Sequence, residues 1–129
     1  MLKDIDVIKI PFEFNGEQRY LRYNMNSRLY LEYMCETPDL LKKNTKLWTF
    51  DDVLHMTRAM LMDSYYCENK DFIEQREFHK VKPTLSEIGR YIDEYGTQTL
   101  MHTLLKGIVS FFPEAPKGAS VSENPLQAM

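Results

Sequence analysis

The chain has 129 residues, of which 43% are hydrophobic and 27% are charged, and its formal net charge is -3. This composition suits one globular domain with a buried core, and the acidic balance disfavours a nucleic-acid partner. The sequence contains no run of about 18 apolar residues, which argues against a membrane-spanning helix. Charged and apolar residues alternate at the N-terminus, so we expect no signal peptide.

The first predicted element is a β-hairpin. Apolar and polar side chains alternate from Ile8 to Phe14 and again from Arg19 to Met25, the period of a half-buried strand. The Asn15-Gly16 pair between these runs accepts positive φ and is typical of a tight hairpin turn. Pro11 has no N–H to donate, so its strand should lie at a sheet edge there.

Helical spacing of apolar residues replaces the alternation after the hairpin. Asn26 is the predicted N-cap of a first helix, which extends to Met34. Thr37-Pro38 is typical of the start of a second, short helix that carries Leu40 and Leu41. A helix beginning at Thr49 follows and is predicted to be the central one.

The central helix is predicted to bury one broad stripe. That stripe consists of Phe50, Val53, Leu54, Thr57, Met60, Leu61 and Tyr65. The residues predicted to lie outside it are Asp51, Asp52, His55, Arg58 and Asp63. The connection from Cys67 to Lys82 is polar and less periodic, with a short helical insert as one interpretation. Its candidate anchors are Phe72, Ile73 and Phe78.

Two further helices are predicted on either side of Gly96. Thr84 and Glu87 have capping-box spacing at the start of the first helix, and Gly96 stands where a residue with positive φ would end it. Gly89 within this helix is interpreted as a close-packing site. Thr97 is the predicted cap of the last helix, which ends before Pro113.

Together these elements predict an α+β fold, in which an N-terminal β-hairpin packs on a mainly α-helical bundle of four to five helices. Residues 1–113 are predicted to form one globular domain. Residues 114–129 are small, polar and proline-containing, so a flexible C-terminal tail is predicted there. The predicted core includes Leu54, Leu61, Ile88, Leu104 and Ile108.

Groups suited to chemistry are scarce. His55, His79 and His102 lie on separate segments without metal-ligand spacing, and each is interpreted as a surface or rim histidine. Cys35 and Cys67 are too few for a disulfide framework, which favours free thiols inside a cell. The sequence has no phosphate-binding loop and no nucleophile elbow. We therefore expect no enzyme activity, no cofactor and no metal.

The ordered set of motifs is similar to that of the tail assembly chaperones of long-tailed bacteriophages. The segments that carry the resemblance are Tyr23-Asn24-Met25-Asn26, Leu29 to Met34, Thr49 to Leu54, and Pro83 to Gly89. The similarity covers roughly residues 6 to 112, and each motif is a capped amphipathic helix. The long connection from Cys67 to Lys82, and tyrosines at positions that are often aliphatic, depart from the family pattern.

The resemblance implies a non-enzymatic chaperone in the host cell cytoplasm that is absent from the mature virion. Such a protein binds the tape measure protein and helps to recruit tail tube subunits during tail assembly. In many relatives a ribosomal frameshift produces a longer form that binds the tube protein. Residues 114–129 are where such an extension would attach.

The residues predicted to contact the client are Met56, Met62, Phe72 and Phe78. Methionine side chains repack easily, which suits a surface that meets varied partners. Self-association would cover the same side chains, so a homo-oligomer stays open.

A helix-turn-helix transcription regulator is the alternative hypothesis, because two helices flank Gly96. Its second helix would offer only Gln98, His102 and Lys106 to DNA, and the net charge of the chain is negative. A small enzyme is a third hypothesis, which would require a pocket with converging ionisable groups.

Overall fold

The structure is a computed structural model that describes residues 9–35 and 45–111. Within these ranges the fold is α+β, with an antiparallel hairpin followed by a helical bundle, as the sequence predicts. The predicted helix at Leu40 and Leu41 and the predicted tail at residues 114–129 lie outside the described residues.

The hairpin pairs β1 (Ile10–Phe14) with β2 (Glu17–Leu21). Asn15 and Gly16 form the turn with φ of 53° and 77°, which confirms the prediction from this pair. The strands bury Phe12, Phe14 and Leu21 on one face and expose Pro11 and Glu13 on the other. Strand β2 ends at Leu21, before the predicted alternation stops at Met25.

Five α-helices follow within the described residues, and their first turns explain where most of them begin. They are α1 (Met25–Met34), α2 (Phe50–Leu61), α3 (Tyr66–Glu74), α4 (Leu85–Tyr95) and α5 (Thr97–Phe111). Short 3₁₀ turns lie at Thr45–Leu47, Met62–Tyr65 and Phe78–Lys80. Helices α2 and α4 start at the predicted capping boxes, Thr49 with Asp52 and Thr84 with Glu87.

Two of the predicted caps are wrong by one or two residues. Helix α1 is capped by Asn24 instead of Asn26, because the Asn24 side chain accepts from the backbone N–H of Ser27 at 3.1 Å. Thr97 is the first residue of α5 and not its cap. Gly96, with φ of 91°, is the single residue between α4 and α5.

Helix α2 lies at the centre and contacts α1, α4, α5 and β2. Of the five predicted core residues, Leu61, Ile88, Leu104 and Ile108 are buried, and Leu54 is half-buried. Because neighbours cover α2 on nearly all sides, the prediction that His55 and Arg58 lie outside the core is wrong: both are buried.

The close-packing glycine is Gly107 on α5, so the prediction for Gly89 is wrong. A Cβ added at Gly89 would meet no atom within 4 Å, whereas one added at Gly107 would lie 2.6 Å from Cε of Met60. Gly107 therefore allows α5 to approach the Met60 side chain of α2 closely.

Candidate functional site

The predicted contact residues do not form an exposed surface. Met56, Met62 and Phe78 are each 1% or less exposed, and Phe72 is half-buried. The predicted exposure of the first three is wrong because neighbours cover α2 on nearly all sides after its first turn and the connection after it folds back onto the bundle. These three side chains fill the core and cannot meet a partner in the folded protein.

Phe78 shows how the connection from α3 to α4 is packed. Its ring lies 6.0 Å from that of Tyr30 in an edge-to-face arrangement and 5.2 Å from that of Tyr33. Both tyrosines belong to α1. The predicted short helical insert is present as α3, and Ile73 and Phe78 anchor the connection as predicted.

Arg58 holds the end of this connection through hydrogen bonds to backbone carbonyls. Its Nε donates to Pro83 O at 2.9 Å, and its Nη2 donates to Val81 O at 2.7 Å and to His79 O at 3.0 Å. Its Nη1 lies 3.4 Å from the Tyr30 hydroxyl. The planar guanidinium thus binds three carbonyls along one short segment. We call Arg58 with these partners the Arg58 cluster.

Asn69 supports the same connection from the other side. Its fully buried amide donates to Met62 O at 3.2 Å and to Lys82 O at 3.0 Å, and it accepts from Lys82 N at 2.7 Å. A buried amide with this many partners stabilises one conformation of the segment that it joins. Sequence reasoning missed Asn69, which looks like any polar residue of a loop.

Tyr30 and His55 form a buried pair beside Arg58. Tyr30 OH and His55 Nδ1 are 2.7 Å apart. The direction of this hydrogen bond depends on the tautomer of His55: with the ring proton on Nε2, the Tyr30 hydroxyl donates to Nδ1. His55 Nε2 lies 3.7 Å from the Asp51 carboxylate.

Burial controls the protonation of both groups. Desolvation lowers the pKa of His55; Asp51 and Asp52 act in the opposite direction, and Arg58 lowers the pKa further. Desolvation also raises the pKa of Tyr30 to about 12. Tyr30 is fully buried, so its hydroxyl is out of reach of a substrate, and the pair is structural instead of catalytic.

Helices α1 and α2 run antiparallel, and two hydrogen bonds between them show which of their ends lie side by side. Ser27 near the start of α1 donates from Oγ to Ala59 O near the end of α2, at 3.0 Å. Tyr30 meets His55 in the middle. The C-terminal end of α1 therefore lies beside the N-terminal end of α2.

The thiol of Cys35 confirms this arrangement. It is half-buried just after α1, and burial raises its pKa to about 11, with smaller contributions from the carboxylates of Asp52 and Asp51. Those carboxylates belong to the first turn of α2. Cys35 and Cys67 are both free thiols, as predicted.

Three exposed apolar side chains belong to the segments at this end of the molecule, the last turn of α1 and the start of α2. Leu47, which precedes α2, is 64% exposed, Phe50, which begins α2, is 54% exposed, and Tyr33 in the last turn of α1 is 57% exposed. The prediction that Phe50 belongs to the buried stripe of the central helix is therefore wrong. We call Tyr33, Leu47 and Phe50 the end surface. Large apolar groups exposed together are typical of protein contact sites. Met25, Tyr66 and Tyr95 are exposed elsewhere.

Residues 9–35 and 45–111 contain no group of three His, Cys, Asp or Glu side chains placed to hold a metal ion. No helix in the described part of the chain has both the length and the apolar character needed to cross a bilayer. Comparisons of the chain with protein-family models, with curated proteins and with solved structures find no match.

Proposed function

We propose that this chain is a tail assembly chaperone of a long-tailed bacteriophage, which binds the tape measure protein without catalysing a reaction. The support from sequence is the order of the hairpin and capped helices. The support from structure is the end surface, which has three exposed apolar side chains, Tyr33, Leu47 and Phe50.

The end surface suits a long, apolar-striped helical client. Such a helix can lay its apolar face against side chains that stand out from the bundle. Full burial of an exposed leucine or phenylalanine contributes about 1.5–3 kcal/mol. Because Leu47 and Phe50 are each a little over half exposed, loss of both should weaken binding by about 2–3 kcal/mol, or about 30- to 150-fold.

The remaining parts of the proposal follow from the resemblance alone. The protein would act in the host cytoplasm, help to recruit tail tube subunits and be absent from the mature virion. Recruitment would use a frameshifted longer form extended beyond residues 114–129. A homo-oligomer formed through the end surface is the competing use of the same side chains.

The geometry around Gly96 favours protein binding over the helix-turn-helix alternative. A helix-turn-helix module joins its helices by a turn of about three to four residues, whereas Gly96 alone separates α4 from α5. The exposed positions of α5 include Gln98, His102 and Lys106, which offer one full positive charge to a phosphate backbone.

Co-expression with the tape measure protein of the same phage genome tests the proposal. We expect the wild-type chain to keep that protein soluble and to copurify with it. The Leu47→Gln/Phe50→Gln variant should lose both effects, because it removes two of the three exposed apolar side chains of the end surface.

A matched control is Met25→Gln/Tyr66→Gln, which removes two exposed apolar side chains at other places, each the first residue of its helix. The control should behave as wild type, and circular dichroism should show all variants folded. If the wild-type chain forms no complex, the proposed function is wrong. If the Leu47→Gln/Phe50→Gln variant binds as wild type does, the client contacts another surface.

A further inference from the structure

A groove of about 600 Å³ separates the hairpin turn from the C-terminal half of α4. Glu13 and the turn residues Asn15 and Gly16 form one wall, and α4 forms the other. The groove contains none of the end-surface residues, so it can be considered independently of the proposed function.

Two tyrosines of α4 line the groove. The Tyr91 ring packs against Phe12 and Phe14, with ring centroids 5.0 Å and 5.8 Å away. Tyr95 packs against Tyr91 at 4.6 Å and is 53% exposed. The packed Tyr91 ring thus supports the more exposed Tyr95 ring.

Three charged groups line the groove without an ion-pair partner in the described part of the chain. They are Glu13 on the outer face of β1, and Arg90 and Glu94 on α4. The spacing of Arg90 and Glu94 is i,i+4, yet no ion pair within 4.0 Å joins them. The groove therefore carries two carboxylates against one guanidinium, and it favours a positively charged occupant.

We propose that this groove binds an arginine side chain presented by a partner protein. A guanidinium in the groove can contact the exposed Tyr95 ring and pair with the carboxylates of Glu13 and Glu94 that line it. The planar, multi-donor shape favours arginine over lysine here. The same two carboxylates repel phosphate groups, so the partner is a protein and not a nucleic acid.

Arg90 competes with the incoming cation for Glu94. Its replacement by glutamine should strengthen binding by about threefold, since a repulsive and competing charge is removed. Replacement of both glutamates by glutamine should weaken binding by about tenfold or more. An apolar or shape-selective groove would show neither effect.

Titration of the full-length protein with N-acetyl-arginine methylamide, followed by amide NMR shifts, tests the proposal. We expect saturable shifts at Gly16 and around Tyr95 at up to tens of millimolar probe. N-acetyl-citrulline methylamide has nearly the same shape without the charge, and it should bind far more weakly.

Any of these results would overturn the proposal: equal binding of the citrulline probe, shifts confined to other parts of the protein, or an affinity unchanged in both the Glu13→Gln/Glu94→Gln and the Arg90→Gln variants. Absence of any binding over the same range would also overturn it. None of these variants alters the end surface, so failure here leaves the co-expression test of the chaperone proposal intact.

Discussion

Replacement of Arg58 by methionine should destabilise the protein more than most single changes. Arg58 is 4% exposed, and its guanidinium donates to the carbonyls of His79, Val81 and Pro83. A hydrogen bond from a charged donor contributes about 1.5–3 kcal/mol. The carbonyl of exposed His79 can turn to water, whereas those of buried Val81 and Pro83 lose their partner. We expect the free energy of unfolding to fall by about 3–5 kcal/mol.

A lysine at the same position separates charge from shape. Arg58→Lys keeps the positive charge, but one ammonium group cannot reach all the carbonyls that the guanidinium fork contacts. We therefore expect Arg58→Lys to lose about 2–4 kcal/mol, most of the loss seen with methionine. Arg90→Met is the control, because Arg90 is exposed and its loss should change stability by about 0.5 kcal/mol or less.

Urea unfolding followed by far-ultraviolet circular dichroism measures these differences. Each variant should shift the midpoint with an unchanged dependence on urea, since the surface exposed on unfolding is nearly the same. A midpoint for Arg58→Met within error of wild type would refute the role of the Arg58 cluster. Wild-type stability of Arg58→Lys would show that charge, and not the fork geometry, holds the connection.

Two further changes probe the helices around this cluster. Because burial lowers the pKa of His55 below 6.5, its contribution to stability is fully present above that pH and is lost as the pH falls toward the folded-state pKa. Urea midpoints at neutral and mildly acidic pH should show this loss in wild type and less of it in His55→Gln; an equal loss in His55→Gln would contradict it. Gly89→Ala should raise the free energy of unfolding by about 0.5–1 kcal/mol, and Gly107→Leu should lower it by about 1–3 kcal/mol because of Met60. Melting temperatures that move in the same direction for both would show that one of the two glycine environments is wrong.

The hairpin turn and two of the helix caps, which depend on a few neighbouring residues, are predicted correctly from the sequence. The Asn15-Gly16 turn and the Thr49 and Thr84 capping boxes each join groups at most three residues apart, so no knowledge of the fold is required. The predictions that Ile88 of α4 and Leu104 and Ile108 of α5 are buried are also correct, because each of these helices has one polar side.

The exposed residues of the central helix are predicted wrongly, because an argument from helical periodicity assumes that one side of the helix faces water. Helix α2 has no such side after its first turn, so His55, Arg58 and Met56 are all buried. One signal was present: Arg58 is the only formally charged residue between Asp52 and Asp63. A helix with so few charges is typical of a buried position. The carbonyl partners of Arg58 lie 21 to 25 residues away, and no local pattern predicts them.

The side chains that stabilise this fold differ from those of the two proposed binding surfaces. The Arg58 cluster and the packed methionines of α2 lie inside and fix the bundle, whereas Leu47, Phe50, Glu13 and Glu94 lie outside it. Substitutions at such exposed positions usually change stability by about 0.5 kcal/mol or less. Variants of the end surface and of the groove should therefore stay folded, and a loss of binding in either can be assigned to the surface that was changed. Substitutions at the predicted contact residues Met56, Met62, Phe72 and Phe78 would not allow a loss of binding to be assigned in this way, because three of these residues are part of the core.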